Sequence, residues 1–212
     1  MNNDCKEKKE IAINFTEFNY DNDCPIDWSS RFMSLISQET CGQDVMCREG
    51  TLQVYTILDS ISKRKGLEDD IDLIIELLRT IKESVNCEMT MIASEKCLSV
   101  IEDNYDRCVQ HISQKKCSQL VCSGLVDVYI SPEKCTGCMK CKEVCPVGAI
   151  SGSEKYIHII NQDVCDSCFL CVDKCPEGAI KKSSATAVKV PAEPVEVGSW
   201  ETESLTRRRR RR

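Results

Sequence analysis

Aromatic residues make up only 5% of this 212-residue chain, histidine occurs twice and glycine nine times. So little ring surface excludes a large aromatic core. It suits small domains held together in part by metal sites. Scarce glycine goes with the lack of any Gly-rich phosphate loop, so a dinucleotide-binding unit is not expected. No run approaches the ~18 apolar residues of a membrane span, and the opening MNNDCKEKKE lacks the apolar stretch of a secretory leader. There is also no nucleophile–base pair, no glycosidase-type carboxylate pair and no catalytic zinc motif. The chain is not expected to be an enzyme by itself.

Charge is present in both signs but unevenly. The formal net charge is −6, although Arg207 to Arg212 form a hexa-arginine end; without those six the rest stands at −12. An acidic body argues against a nucleic-acid partner. The arginine run reads as an RNA- or membrane-binding tail, an appendage, or a solvated end without function.

Cysteine is abundant, with 17 residues. In a secreted chain this would imply a disulfide scaffold, but without a leader it implies thiolates kept reduced in the cytoplasm to bind metal. Two copies of C-x2-C-x2-C-x3-C-P lie thirty residues apart, Cys135/Cys138/Cys141/Cys145-Pro146 and Cys165/Cys168/Cys171/Cys175-Pro176, each running on into Gly-Ala-Ile. Three thiolates with two residues between neighbours wrap one iron–sulfur cube, and the fourth cysteine reaches the other cube. Cluster one is therefore expected on Cys135, Cys138, Cys141 and Cys175. Cluster two is expected on Cys165, Cys168, Cys171 and Cys145. Zinc ribbons use two CxxC pairs rather than two triplets each followed by C-P. The region 125–182 resembles the bacterial dicluster ferredoxin domain, which carries two [4Fe–4S] clusters.

Hydrophobic periodicity divides the chain further. Residues 1–22 are polar and aperiodic and read as a flexible arm. Residues 23–123 read as a bundle of four short helices, with Pro25 at a first helical position. Val54, Ile57, Leu58 and Ile61 form one apolar stripe, and Ile71, Ile74, Ile75, Leu78 and Ile81 a second. Leu98, Ile101, Tyr105 and Ile112 outline one further helix. Residues 124–182 form the dicluster module, with short strands at 126–130 and 157–159, and residues 183–212 read as a disordered tail. The expected fold class is α+β: a small helical bundle with an iron–sulfur site, followed by a ferredoxin-like domain.

The segment Glu39-Thr-Cys41-Gly-Gln-Asp44-Val-Met-Cys47-Arg-Glu-Gly50, with Cys87, His111-x5-Cys117-x4-Cys122 and Tyr129-Ile-Ser-Pro-Glu-Lys-Cys135-Thr-Gly-Cys138, carries a second resemblance. It is similar to the flavin- and NADH-binding subunit of respiratory complex I. It looks more like the C-terminal part of the beta subunit of electron-bifurcating [FeFe]-hydrogenases, without that family's flavin/NADH-binding domain. The resemblance covers roughly residues 23–182. In the family, a cysteine triplet and a later cysteine hold a [4Fe–4S] cluster near the flavin. Here Asp44 stands in place of the middle cysteine. Three readings follow for Cys41, Asp44, Cys47 and Cys87: a third cluster with Asp44 as its oxygen ligand; a different cluster or zinc, with or without Cys97; or buried thiols without metal.

Cys24, His111, Cys117 and Cys122 resemble the family's zinc knuckle. One imidazole with three thiolates is a closed tetrahedral set, as in structural zinc sites. The alternative is a helix-end histidine among unrelated thiols. His158, on an alternating segment, is expected at the surface. The resemblance implies a cytoplasmic electron-transfer subunit that passes single electrons between a flavoprotein or hydrogenase-type partner and ferredoxin. The contrasting reading is a metal-stabilised scaffold or assembly subunit.

Overall fold

A computed structural model describes residues 8–184 and 189–200; the hexa-arginine end and Cys5 lie outside the described residues. The fold is α+β and divides at Leu125/Val126 into two compact units.

The first unit is helical: α1 (Lys9–Asn14), α2 (Pro25–Glu39), α3 (Thr51–Ser62), α4 (Asp70–Ser84), α5 (Glu88–Asp103) and α6 (Tyr105–Ser113). Pro25 opens α2, where its missing N–H costs nothing. The two apolar stripes face inward, with Val54, Leu58 and Ile61 of α3 and Ile71, Ile74, Leu78 and Ile81 of α4 all buried. At the start of α4, the Asp70 carboxylate accepts the Leu67 backbone N–H at 2.8 Å. Gly50 joins a π-turn, Met46–Gly50, to α3. A Cβ there would lie 3.0 Å from Ile81 Cγ1 and 3.2 Å from Met46 Cε, so glycine lets the widened turn press against α4.

Two expectations for this unit are corrected. Residues 8–22 are not a loose arm, because α1 packs on α5 and Lys96 Nζ donates to the Ala12 and Ile13 carbonyls at 3.0 Å each. Phe15 stacks on Phe32 with centroids 4.6 Å apart, and Trp28 Nε1 donates to the Thr16 carbonyl at 2.9 Å. The few rings of this chain are concentrated here, where a polar segment conceals three anchor points. The single helix expected from Leu98 to Ile112 is two, broken at Asn104, whose side chain turns back to the Val100 carbonyl at 2.9 Å. Tyr105 is exposed and donates to Asp72, while Cys97, Cys108 and His111 take the buried positions.

The second unit is built from a repeat related by a thirty-residue offset. Strand β1 (Asp127–Ile130) pairs antiparallel with β4 (Ile180–Ser183), and β2 (Ile150–Ser151) with β3 (Ile159–Ile160). Between the strands lie the short helices α7 (Lys140–Glu143) and α8 (Leu170–Lys174). The residues before them, Met139 and Phe169, both take left-handed backbone angles, φ 66° and 62°. The tail expected to be disordered is ordered over 189–200. Ile157 N–H donates to the Val195 carbonyl at 2.7 Å, Val197 N–H to the Lys155 carbonyl at 3.0 Å, and Val195 and Trp200 pack on the module core.

Candidate iron–sulfur and metal sites

The repeat brings each cysteine triplet to face the fourth cysteine of the other copy. Cys135, Cys138, Cys141 and Cys175 line one hollow of about 290 Å³, partly open to solvent. Cys145, Cys165, Cys168 and Cys171 line a second of about 310 Å³. Ile130, Ala179 and Ile180 wall the first, and Val128, Ala149 and Ile150 the second. Cys141 and Cys171 are buried at the back, while Cys138 and Cys168 are exposed at the mouth.

Each site also has a matched backbone donor. Ala149 N–H points at Cys145 Sγ and Ala179 N–H at Cys175 Sγ, both at 3.3 Å. Such bonds to cluster sulfurs raise the reduction potential. Burial pushes the Cys141 and Cys171 thiols up to about 11, so both keep their protons near neutral pH until positive charge is placed beside them. An apolar hollow, four spread thiols and an N–H aimed at a sulfur fit a [4Fe–4S] cube in each position.

The two hollows differ at several lining positions, among them that of a histidine. His158 is not at the surface as expected; it is 1% exposed and lines the first hollow, whereas the equivalent Val128 lines the second. Its Nδ1 lies 3.8 Å from Cys135 Sγ and its Nε2 3.1 Å from Met139 Sδ. A Cβ at Gly152 would collide with the ring, and Gly152 has φ +140°. Burial, then Lys142, lowers the His158 pKa and keeps the ring neutral.

The helical unit gathers two further sets. Cys24, His111, Cys117 and Cys122 are all buried, with their ligand atoms within 4.8 Å of one another. His111 Nε2 is 3.1 Å from Cys24 Sγ, and Cys24 Sγ is 3.6 Å from Cys122 Sγ. The other ring nitrogen, Nδ1, lies 2.8 Å from the Arg107 carbonyl, which sets the tautomer that leaves Nε2 for a metal. Arg107 in turn donates to the Tyr20 and Asp23 carbonyls, fixing the approach to Cys24.

Burial opposes charge on His111, but hydrogen bonds with Cys117 and Cys24 outweigh it and raise its pKa to about 10. Contacts with Cys122 and Cys24 hold Cys117 far below the ordinary thiol range, and the contact with Cys117 drives Cys122 far above it. Three sulfurs and one imidazole nitrogen converge at one point. It fits zinc.

Cys41, Cys47 and Cys87 form the second set, again with sulfurs within 4.8 Å of one another. Cys41 precedes the π-turn, Cys47 lies within it and Cys87 caps the start of α5. Thr90 Oγ1 is 3.0 Å from Cys47 Sγ, and contact with Cys87 followed by burial raises the Cys47 pKa. Asp44 does not join this set. Its carboxylate accepts the Asn86 backbone N–H at 3.1 Å. The residues present do not make the four-thiolate site of a cube.

Two four-cysteine hollows on one repeat define an iron–sulfur protein of the electron-transfer class. The sequence matches the NADH-ubiquinone oxidoreductase-F iron–sulfur binding region over residues 27–111 and 4Fe-4S binding domains over residues 128–151 and 162–178. The chain therefore joins an iron–sulfur region of that type to two ferredoxin 4Fe-4S domains.

It is 36% identical over 138 residues to the NADP-reducing hydrogenase subunit HndC of Solidesulfovibrio fructosivorans, covering 65% of this chain and 28% of that one. It is 27% identical over 71 residues to the beta subunit of the NADP(+)-dependent formate dehydrogenase of Moorella thermoacetica, covering 34% and 10%. Over 35 residues it is 51% identical to a subunit of the ion-translocating oxidoreductase complex of Shewanella sediminis, covering 16% and 18%. The chain thus spans less than a third of the length of each of these relatives. No described helix is long and apolar enough to cross a membrane.

Proposed function

We propose that this chain is an electron relay of a cytoplasmic redox complex, holding two [4Fe–4S] clusters between a flavoprotein or hydrogenase-type partner and ferredoxin. The observation that carries this reading is the crossed lining of the two hollows, three cysteines from one motif with the fourth from the other. Each bound cluster would supply one-electron chemistry within a range of roughly −700 to +450 mV. The protein's own part is to hold the sulfurs, exclude water and set the local charge. Ile130 and Ile180 screen one site, and Val128 and Ile150 the other. Cys138 and Cys168 mark where each opens toward a partner.

A formal net charge of −6 opposes addition of an electron and favours low potentials. The names of the relatives, hydrogenase and formate dehydrogenase subunits, support a place in a complex of that kind. In the helical unit, Cys24, His111, Cys117 and Cys122 are proposed to hold one structural zinc.

The complex isolated anaerobically from its native host tests the relay. Cys138→Ser or Cys168→Ser is expected to stop turnover while the partner chains still co-purify. Retained turnover with lost assembly would favour a scaffold instead.

A further inference from the structure

We infer that Cys41, Cys47 and Cys87 hold a single thiophilic cation of the zinc class rather than a third cube, with Asp44 as a positioning residue outside the coordination sphere. The first ground is spacing. Zinc–thiolate bonds of ~2.3 Å keep any two sulfurs on one ion within about 4.6 Å of each other. Among the described residues, only this set and the Cys24 set bring three or more ligand-type atoms within 4.8 Å; the eight dicluster cysteines form neither group. Cube ligands bind different iron atoms and must stand further apart. The dicluster cysteines do so around their hollows, whereas Cys41, Cys47 and Cys87 converge on a point.

The second ground is Asp44. A carboxylate that ligated iron would turn toward the sulfurs, but it is taken up by the N–H of Asn86, the residue before Cys87. That bond ties the loop leading to Cys47 to the start of α5 and so sets the distance between Cys47 and Cys87. The third ground is the surroundings. Cys47 and Cys87 are buried, Thr90 contacts Cys47 Sγ, and Cys87 sits at the electropositive N-terminal end of the sixteen-residue α5. Cys41 is only partly buried, which leaves a fourth coordination position for water or an outside ligand.

Metal analysis of the full chain, purified anaerobically with its clusters intact, tests this without any activity. Two zinc equivalents are expected, with the iron count unchanged from the dicluster module alone. Cys41→Ser should remove one zinc and His111→Ala the other, with iron constant in both. Replacing zinc with cobalt should give sulfur-to-cobalt absorption from two sites, one of them lost in Cys41→Ser. A wild-type iron count near twelve, or a single zinc that only His111→Ala removes, would overturn the inference. Because the wild-type count decides, a variant that fails to fold leaves the test intact. Loss of the relay reading would appear separately, as missing iron with both zincs retained.

Discussion

Burial decides which thiols can react. Cys97, on α5, is fully buried, and burial pushes its pKa up to about 12. Cys108 is raised further by burial and by its neighbours Cys24 and Cys97. Thiolate is the reacting form, so both should resist alkylation in the native protein and react on unfolding. Mass spectrometry of iodoacetamide-treated protein checks this, and rapid native labelling of Cys97 would contradict it.

At this scale the grouping of the eight dicluster cysteines into two crossed sets of four was legible, because spacing along the chain is itself the signal. The convergence of Cys24 with His111, 87 residues apart, could be named only through resemblance. His158 was misread. Alternation placed it at the surface, but the glycine that admits its ring, Gly152, is six residues away and faces it only once the β2–β3 hairpin forms.

Among the elements, amphipathic helices were the most legible. The stripes of α3 and α4 repeat at three and four residues and point at the core as periodicity requires. The break at Asn104 was not, because Cys97, Cys108 and His111 carry the buried face there and hydrophobic patterning passes over them. The ordered segment 189–200 was also missed, since its attachment is mainly backbone hydrogen bonding that composition does not encode.

Val195 and Trp200 pack on the same core that backs the cysteines, so this strap is expected to protect the clusters. Trp200→Ala removes a half-buried ring and should destabilise the second unit by about 1–3 kcal/mol, less than a fully buried aromatic would. Bleaching of cluster absorbance by an iron chelator should be faster in this variant than in wild type. Equal rates would show that the strap does not contribute.

The molecule combines two solutions to the same shortage of apolar core. The helical unit gathers most of the chain's aromatic rings and its converging ligand sets, and the repeat unit is organised around two hollows. In small domains the binding of a structural metal is coupled to folding, at around 10 kcal/mol or more for zinc peptides. With the proposed zinc and clusters bound, each unit should depend on its own metal. Chelating zinc should loosen the helical unit and leave cluster absorbance in place.

The crossed cysteine sets are proposed to hold two cubes close enough to sense each other. Iron analysis combined with EPR of the chemically reduced full chain tests it most directly. The result expected is about eight iron atoms per chain and a broadened, interacting spectrum that becomes a simple single-cluster signal in Cys168→Ser. About four iron atoms, or a wild-type spectrum of isolated centres unchanged by Cys168→Ser, would contradict it.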